Sequence, residues 1–253
     1  MLRKRKNQTS PGILGFSLIE MVIALGMMVV VLGVVVEGIA QMMRRNSAES
    51  SKVDTVQVTR DFIDQVVRDI HGVGYPPGKV LNGNPTCLGA LNIACGVVLF
   101  SPTEVRYEGD LDGTGKVYQV WVRIHPPPSG SCPCSLERGV VTKADWIATG
   151  KAPDYFTEVD GVLNSGNGAG AGTYTVSLPG GGSYSSYASA DVFQAYDVNA
   201  DPVPPCPDAA TCSSIRSLQI NANVAPNFMD PKTNMFPVYS ITSKARLNNS
   251  WDN

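Results

Sequence analysis

Two sets of residues in this 253-residue chain have types and spacings that could do chemistry. The first is Asp110-x-Asp112-x-Thr114-Gly115, the alternation that opens a calcium loop. Oxygen-bearing side chains at every second position turn inward there, and glycine permits the bend. The twelfth position of such a loop wants a bidentate glutamate and holds Trp121, and a strand pattern follows at once. An Asp/Gly turn accounts for the same residues. The turn is the expected reading, with calcium held by Asp110, Asp112 and Thr114 as the alternative. The second set is six cysteines: Cys87, Cys95, Cys132, Cys134, Cys206 and Cys212. An even number in the C-terminal part of the chain points to disulfides formed in an oxidising compartment. Seven residues between Cys87 and Cys95, and five between Cys206 and Cys212, suit local loop closures. Cys132-Pro133-Cys134 reads as too tight for an easy bridge, so each of the two is expected to pair elsewhere. Six cysteines allow fifteen connectivities, and spacing does not choose among them. The C-x-x-C pairs of zinc ribbons and covalent haem sites do not occur. Gly166-x-Gly168-x-Gly170-x-Gly172 lacks the strand and helix that frame a dinucleotide fingerprint, and reads as a loop. His71 and His125 are isolated and no G-x-S-x-G elbow is present, so no catalytic residue is assigned and an enzyme is not expected.

A further carboxylate stands out by its surroundings. Met21 to Val36 is sixteen residues without a polar side chain, roughly 24 Å of helix and short of a ~30 Å hydrocarbon core. Extension to Phe16–Ile39 gives roughly 36 Å, enough to span with some tilt, but it takes in Glu20 and Glu37. Arg3, Lys4, Arg5 and Lys6 precede the run and only Arg44-Arg45 closely follow it, which places the N-terminus in the cytoplasm. The whole chain has a net charge of -2, yet without its first fifteen residues it has 16 basic against 22 acidic side chains. A basic leader on an acidic remainder is the asymmetry of an exported protein. It offers no concentrated basic face for nucleic acid, and no nucleic-acid partner is assigned. Cleavage after Gly38-Ile39-Ala40 as an ordinary secretory signal, or a plain anchor with an incidental glutamate, are the simpler readings of this segment.

Beyond the span, Val53, Val56, Ile63, Val67 and Ile70 fall on three- and four-residue steps, with Phe62 and Val66 widening the stripe. Asp64 and Arg68 add an i, i+4 pair with the acid first. Gly72, Gly74 and Pro76-Pro77 end the helix, which would be roughly 84 Å long from Phe16 to His71. Strands are expected at Val97–Phe100, Glu104–Tyr107, Val117–Ile124, Thr173–Leu178, Ser217–Ile220 and Val238–Leu247. Pro126-Pro127-Pro128 and Pro202 to Pro207 read as stiff loops, and Ser165 to Gly172 and Pro179 to Ser189 as Gly/Ser-rich surface.

Gly15-Phe16-Ser17-Leu18-Ile19-Glu20, between a basic leader and an apolar helix, resembles the class III signal of type IV pilins and pseudopilins. Arg68-Asp69-Ile70-His71-Gly72-Val73-Gly74-Tyr75, Asp110 to Gly115, Leu136-Glu137-Arg138 and Arg246-Leu247-Asn248-Asn249 are similar to PilW-like minor pilins. The resemblance implies an α+β fold: a long N-terminal helix, its first half transmembrane, packed on an antiparallel β-sheet head. The implied segments are a leader at 1–15, a helix at 16–71 (transmembrane at about 16–39) and a Gly/Pro-rich head at 72–253. It implies cleavage after Gly15 by a prepilin peptidase, N-methylation of Phe16, and for Glu20 a pairing with the terminal amine of a neighbouring subunit. Two charges in a low-dielectric layer are each costly alone and cheaper paired, so that role is physically sound. The implied partners are other pilins or minor pilins, the peptidase, an inner-membrane assembly platform and, before assembly, the bilayer. The implied location is the inner membrane with a periplasmic head, and afterwards a surface pilus or periplasmic pseudopilus. One departure is that Glu37, with Gly33 and Gly38 nearby, occupies the region where many major pilins carry a helix proline. A J-type pseudopilin of a type II secretion system shares these features. An exported, membrane-anchored binding module, its loops touching a surface, sugar or DNA, is the alternative from another class.

Overall fold

The structure is a computed structural model that describes residues 17–75, 87, 89–126, 132–164, 173–174, 182–185, 187–188, 190–230 and 232–248. Contacts divide the chain into two units, Met1–Asn46 and Ser47–Asn253. Helix α1, Leu18–Gly72, crosses that boundary. In the first unit all described residues are exposed except Ala40, which is partly covered. This stretch is the one helical segment among the described residues that is long and apolar enough to cross a membrane. No proline interrupts it, and Gly26, Gly33 and Gly38 are each a cost of only ~1 kcal/mol relative to alanine.

In the second unit α1 buries Thr59, Phe62, Ile63, Val66 and Ile70. These residues lie three or four apart, so one stripe faces the head. Thr59 is tolerated in that stripe because its hydroxyl donates to the Thr55 carbonyl at 2.7 Å. Of the expected stripe, Phe62, Ile63, Val66 and Ile70 are buried, Val56 and Val67 are half-buried, and Val53 remains 55% exposed.

The head is a curled antiparallel sheet. Its strands are β1 Val97–Phe100, β2 Glu104–Gly109, β3 Tyr118–His125, β4 Cys134–Thr142 and, after helix α2 Lys143–Thr149, β5 Tyr155–Val162. Next come the short β6 Thr173–Tyr174, β7 Ser183–Tyr184 and β8 Tyr187–Ala188, then β9 Phe193–Tyr196, β10 Pro202–Val203, β11 Ser217–Val224, β12 Met235–Phe236 and β13 Tyr239–Arg246. The main sheet runs β1-β2-β3-β4-β5-β11-β9-β10. Phe100 and Cys206 exchange two backbone hydrogen bonds of 2.9 Å, so the segment after β10 returns to β1 and covers its edge. β13 pairs with β11 along its full length. Thr173–Tyr174 is the described part of the strand expected at 173–178. β10 lies within the proline-rich stretch expected to be loop, and β7 and β8 within the Gly/Ser-rich one.

The two faces of β2, β3 and β4 differ. Val105, Tyr107, Val120, Val122 and Leu136 join Phe62, Ile63, Val66 and Ile70 in the main core. Each such aliphatic or aromatic side chain contributes about 1.5–3 kcal/mol when fully buried. Glu104, Arg106, Glu108, Gln119, Trp121, Arg123, Glu137 and Gly139 alternate with the core residues along these strands, and period-two alternation puts them on the opposite face.

The end of α1 is fastened to β2 by backbone hydrogen bonds. Gly74 donates to the Glu108 carbonyl and Asp110 to that of Tyr75, each at 2.9 Å. A β-carbon on Gly109 would meet the Gly72 carbonyl oxygen at 2.7 Å, so this approach requires glycine. Beside it the Arg138 guanidinium donates to Asp69 at 2.8 Å, and the Tyr107 hydroxyl donates to the same carboxylate at 3.1 Å. Burial, and then the neighbouring Asp69 charge, push the Tyr107 phenol well above its usual range.

Candidate functional site

Ser17 and Glu20 form a capping box at the start of α1. The Ser17 backbone N–H donates to Glu20 Oε2 at 2.9 Å, and Ile19 N–H donates to the Ser17 hydroxyl at 3.3 Å. Glu20 thus satisfies a donor that the helix leaves open, in the first turn where a negative charge is favoured. Gly15 and Phe16 lie outside the described residues.

All six cysteines are paired: Cys87 with Cys95, Cys132 with Cys134, and Cys206 with Cys212. The first and third are the local closures their spacing suggests. The second corrects the expectation that Cys132 and Cys134 find other partners. Their Cα atoms are 4.4 Å apart across Pro133, inside the range a disulfide accepts. Counting intervening residues missed this because the bridge depends on the backbone bend.

The Asp110–Gly115 loop is built as a turn. Asp110 Oδ2 accepts from Gly115 N–H at 2.8 Å. Asp112 Oδ1 accepts from the Thr114 hydroxyl at 2.6 Å and its N–H at 3.1 Å, while Oδ2 accepts from the Tyr118 hydroxyl at 2.9 Å. The Thr114 and then Tyr118 side-chain hydrogen bonds lower the Asp112 pKa to about 2. Among the described residues no three Asp, Glu, His or Cys side chains converge as metal ligands. Asp110 Oδ1 is buried without a hydrogen bond; the side chains here offer two carboxylates and one hydroxyl, and backbone carbonyls or water would have to supply the rest of the 6–8 oxygens that calcium takes. Trp121, at the twelfth position, is buried within the sheet.

The outer face of the head holds a site that composition did not suggest. Lys143, the first residue of α2, is buried to 1% side-chain exposure against 3% for Glu108, and the two are 2.7 Å apart. Lys143 Nζ also donates to the carbonyls of Cys87 and Ile93, at 2.6 and 2.7 Å. Glu108 Oε2 accepts in addition from Cys95 N–H at 2.9 Å. Glu108 Oε1 accepts from Gln119, whose own oxygen accepts from the Trp121 indole at 2.7 Å. One charged pair therefore pins the Cys87–Cys95 loop to the sheet. Helix α2 positions the lysine. Thr142 and Asp145 cap it reciprocally, and Gly150 closes it in the left-handed conformation, φ 64°. Both capping signals are readable in the sequence.

Beside this network, Arg106 stacks 3.4 Å over the Trp121 ring, and Arg123 lies 3.5 Å over Tyr155. Trp146 of α2 meets Trp121 edge-on at 5.2 Å. A cavity of about 220 Å³ opens here, between α2, β1 and the loop closed by Cys206–Cys212.

No protein-family model matches this chain, and no curated protein or solved structure matches it either.

Proposed function

We propose that the chain is a PilW-like minor pilin, a structural subunit that primes or supports assembly of a type IV pilus. It is made as an inner-membrane precursor, processed after Gly15, with its head in the periplasm until it joins the filament. It carries no catalytic role and needs no cofactor for that work. The supporting observation is the exposed apolar helix with one carboxylate, Glu20, in its first turn, continuing without a break into a disulfide-bonded head. An exposed apolar surface of that extent needs lipid or other helices to cover it. After cleavage, the new amine at Phe16 would lie one residue before the Ser17 N–H that Glu20 accepts in this structure.

The capping box favours a second reading, an exported membrane-anchored module in which Glu20 serves only its own helix. Glu20→Gln separates the two. Glutamine can keep the capping box but not the charge. As a filament subunit, the Gln variant inserts and folds normally yet fails to enter filaments with partner pilins. If it assembles like wild type, charge pairing is not its role. Mass spectrometry of the mature N-terminus tests the rest: N-methylated Phe16 is the expected terminus. Gln41 or an intact Met1 would remove the pilin reading.

A further inference from the structure

The outer-face cavity takes no part in filament assembly as proposed above, and its lining is specific about ligand chemistry. Charge comes first. Arg106 is ion-paired with Glu104 and Lys143 with Glu108, and the remaining charge, Asp208, is exposed and already accepts two hydrogen bonds from Thr211, so an ionic ligand gains little Coulomb attraction. Next is shape. Trp146 and Ile147 of α2 form an apolar wall opposite the loop carrying Asp208. The edge-on contact with buried Trp121 fixes the Trp146 ring, which can then serve as a flat face for a ligand's C–H groups. At about 220 Å³ the space is below the ~300–1,000 Å³ of drug-sized sites, so it admits one small unit.

The rim supplies directional polar groups. Arg106 Nε is committed to Glu104 at 2.6 Å and its plane lies on Trp121. Among the described residues no acceptor is bonded to its terminal nitrogens, which leaves them as oriented donors. Asp208 precedes the turn at Thr211–Ser214 and accepts the Thr211 N–H at 2.9 Å. That N–H and then the Thr211 hydroxyl hold its carboxyl below the usual range, so it is an anionic acceptor at neutral pH.

The site is also rigid before any ligand arrives. Cys206–Cys212 closes the loop that carries Asp208, and Ala209 of that loop packs with Cys87 and Cys95 in a small separate core. The hydrogen-bonded Lys143–Glu108–Gln119 chain forms the floor. Sites held in place this way lose little ordering entropy on binding. We propose that this cavity binds one neutral sugar unit, with Trp146 as the stacking face and Arg106 and Asp208 as the hydrogen-bonding rim. The inference does not depend on whether the chain is a filament subunit or an anchored module.

The test uses the full chain in a detergent without a sugar headgroup. Methyl glycosides of glucose, galactose, mannose and N-acetylglucosamine are titrated against tryptophan fluorescence and saturation-transfer NMR. Glucuronate and glucosamine serve as charged counterparts. At least one neutral glycoside should saturate and bind more tightly than both charged sugars. Trp146→Ala should weaken it about tenfold or more, equivalent to about 1.4 kcal/mol. Because Trp146 packs on Trp121, a second variant guards against misfolding. Asp208→Asn keeps an oxygen to accept the Thr211 N–H while removing the charge, and should also weaken binding with all three disulfides intact. Phe156→Ser, at an exposed position outside the cavity lining, should leave binding unchanged. Failure of every neutral glycoside to saturate would overturn the proposal. So would tighter binding of a charged sugar, or unchanged affinity in Asp208→Asn.

Discussion

Replacing Lys143 by methionine keeps the side chain's bulk and removes its charge, which isolates the electrostatic part of its role. Glu108 would keep only Cys95 N–H and the 3.3 Å bond from Gln119. The carbonyls of Cys87 and Ile93 would each lose the lysine donor that now lies within 2.7 Å. Leaving one partner of a buried pair uncompensated costs about 3–5 kcal/mol. Each carbonyl left unsatisfied adds about 1–3 kcal/mol unless the loop opens to water. The single variant is therefore expected to lose about 3–5 kcal/mol, with the Cys87–Cys95 loop the first part to open. Urea unfolding followed by the fluorescence of Trp121 and Trp146 measures the cost. Lys143→Met combined with Glu108→Gln removes both charges, and should recover most of that loss, because the two carbonyls are hydrated once the loop opens. A single-variant cost below about 1 kcal/mol would show that Glu108 is not held charged and dry. A double variant as unstable as the single would show that the loss came from packing.

Two pH effects follow from the hydrogen bonds already described. Tyr107 is raised well above 10.0 by burial and by Asp69, so the unfolded chain releases this proton at lower pH than the folded head. The contribution is complete below pH ~10 and is lost above it. Tyr107→Phe should flatten the alkaline limb of the stability profile, and an unchanged limb would contradict this assignment. Asp112 is lowered to about 2, so its contribution to the turn is present above its unfolded value and lost as pH falls through about 2. NMR titration should find that midpoint, and Thr114→Val should move it up toward 3.8 by removing the hydroxyl donor. A midpoint insensitive to Thr114 would refute the stated cause.

Hydropathy patterning reveals the elements whose residues do what their types suggest. The apolar run of α1 and the alternation of β3 belong to that group, and both were readable before any coordinates. β4 was not, because its centre reads Glu137-Arg138-Gly139, which looks like a turn. Each of those residues is explained by a partner on another element. Glu137 pairs with Arg123 at 2.9 Å, Arg138 reaches Asp69 on α1, and Gly139 leaves room for the Pro153 ring. Lys143 was hidden for the same reason. Lysine is almost never buried alone, and the carboxylate that permits its burial is 35 residues away. The Asp110–Gly115 turn, with calcium as its alternative reading, is the converse case. Asp110, Asp112 and Thr114 have the right types in the right order, yet both Asp112 oxygens and one from Asp110 accept hydrogen bonds within the turn region. In this head a charged side chain takes its place from a partner elsewhere in the chain. The outer face, where three acid–base pairs (Glu104–Arg106, Glu137–Arg123 and Glu108–Lys143) stand around two tryptophans, therefore became legible only once the strands were in register.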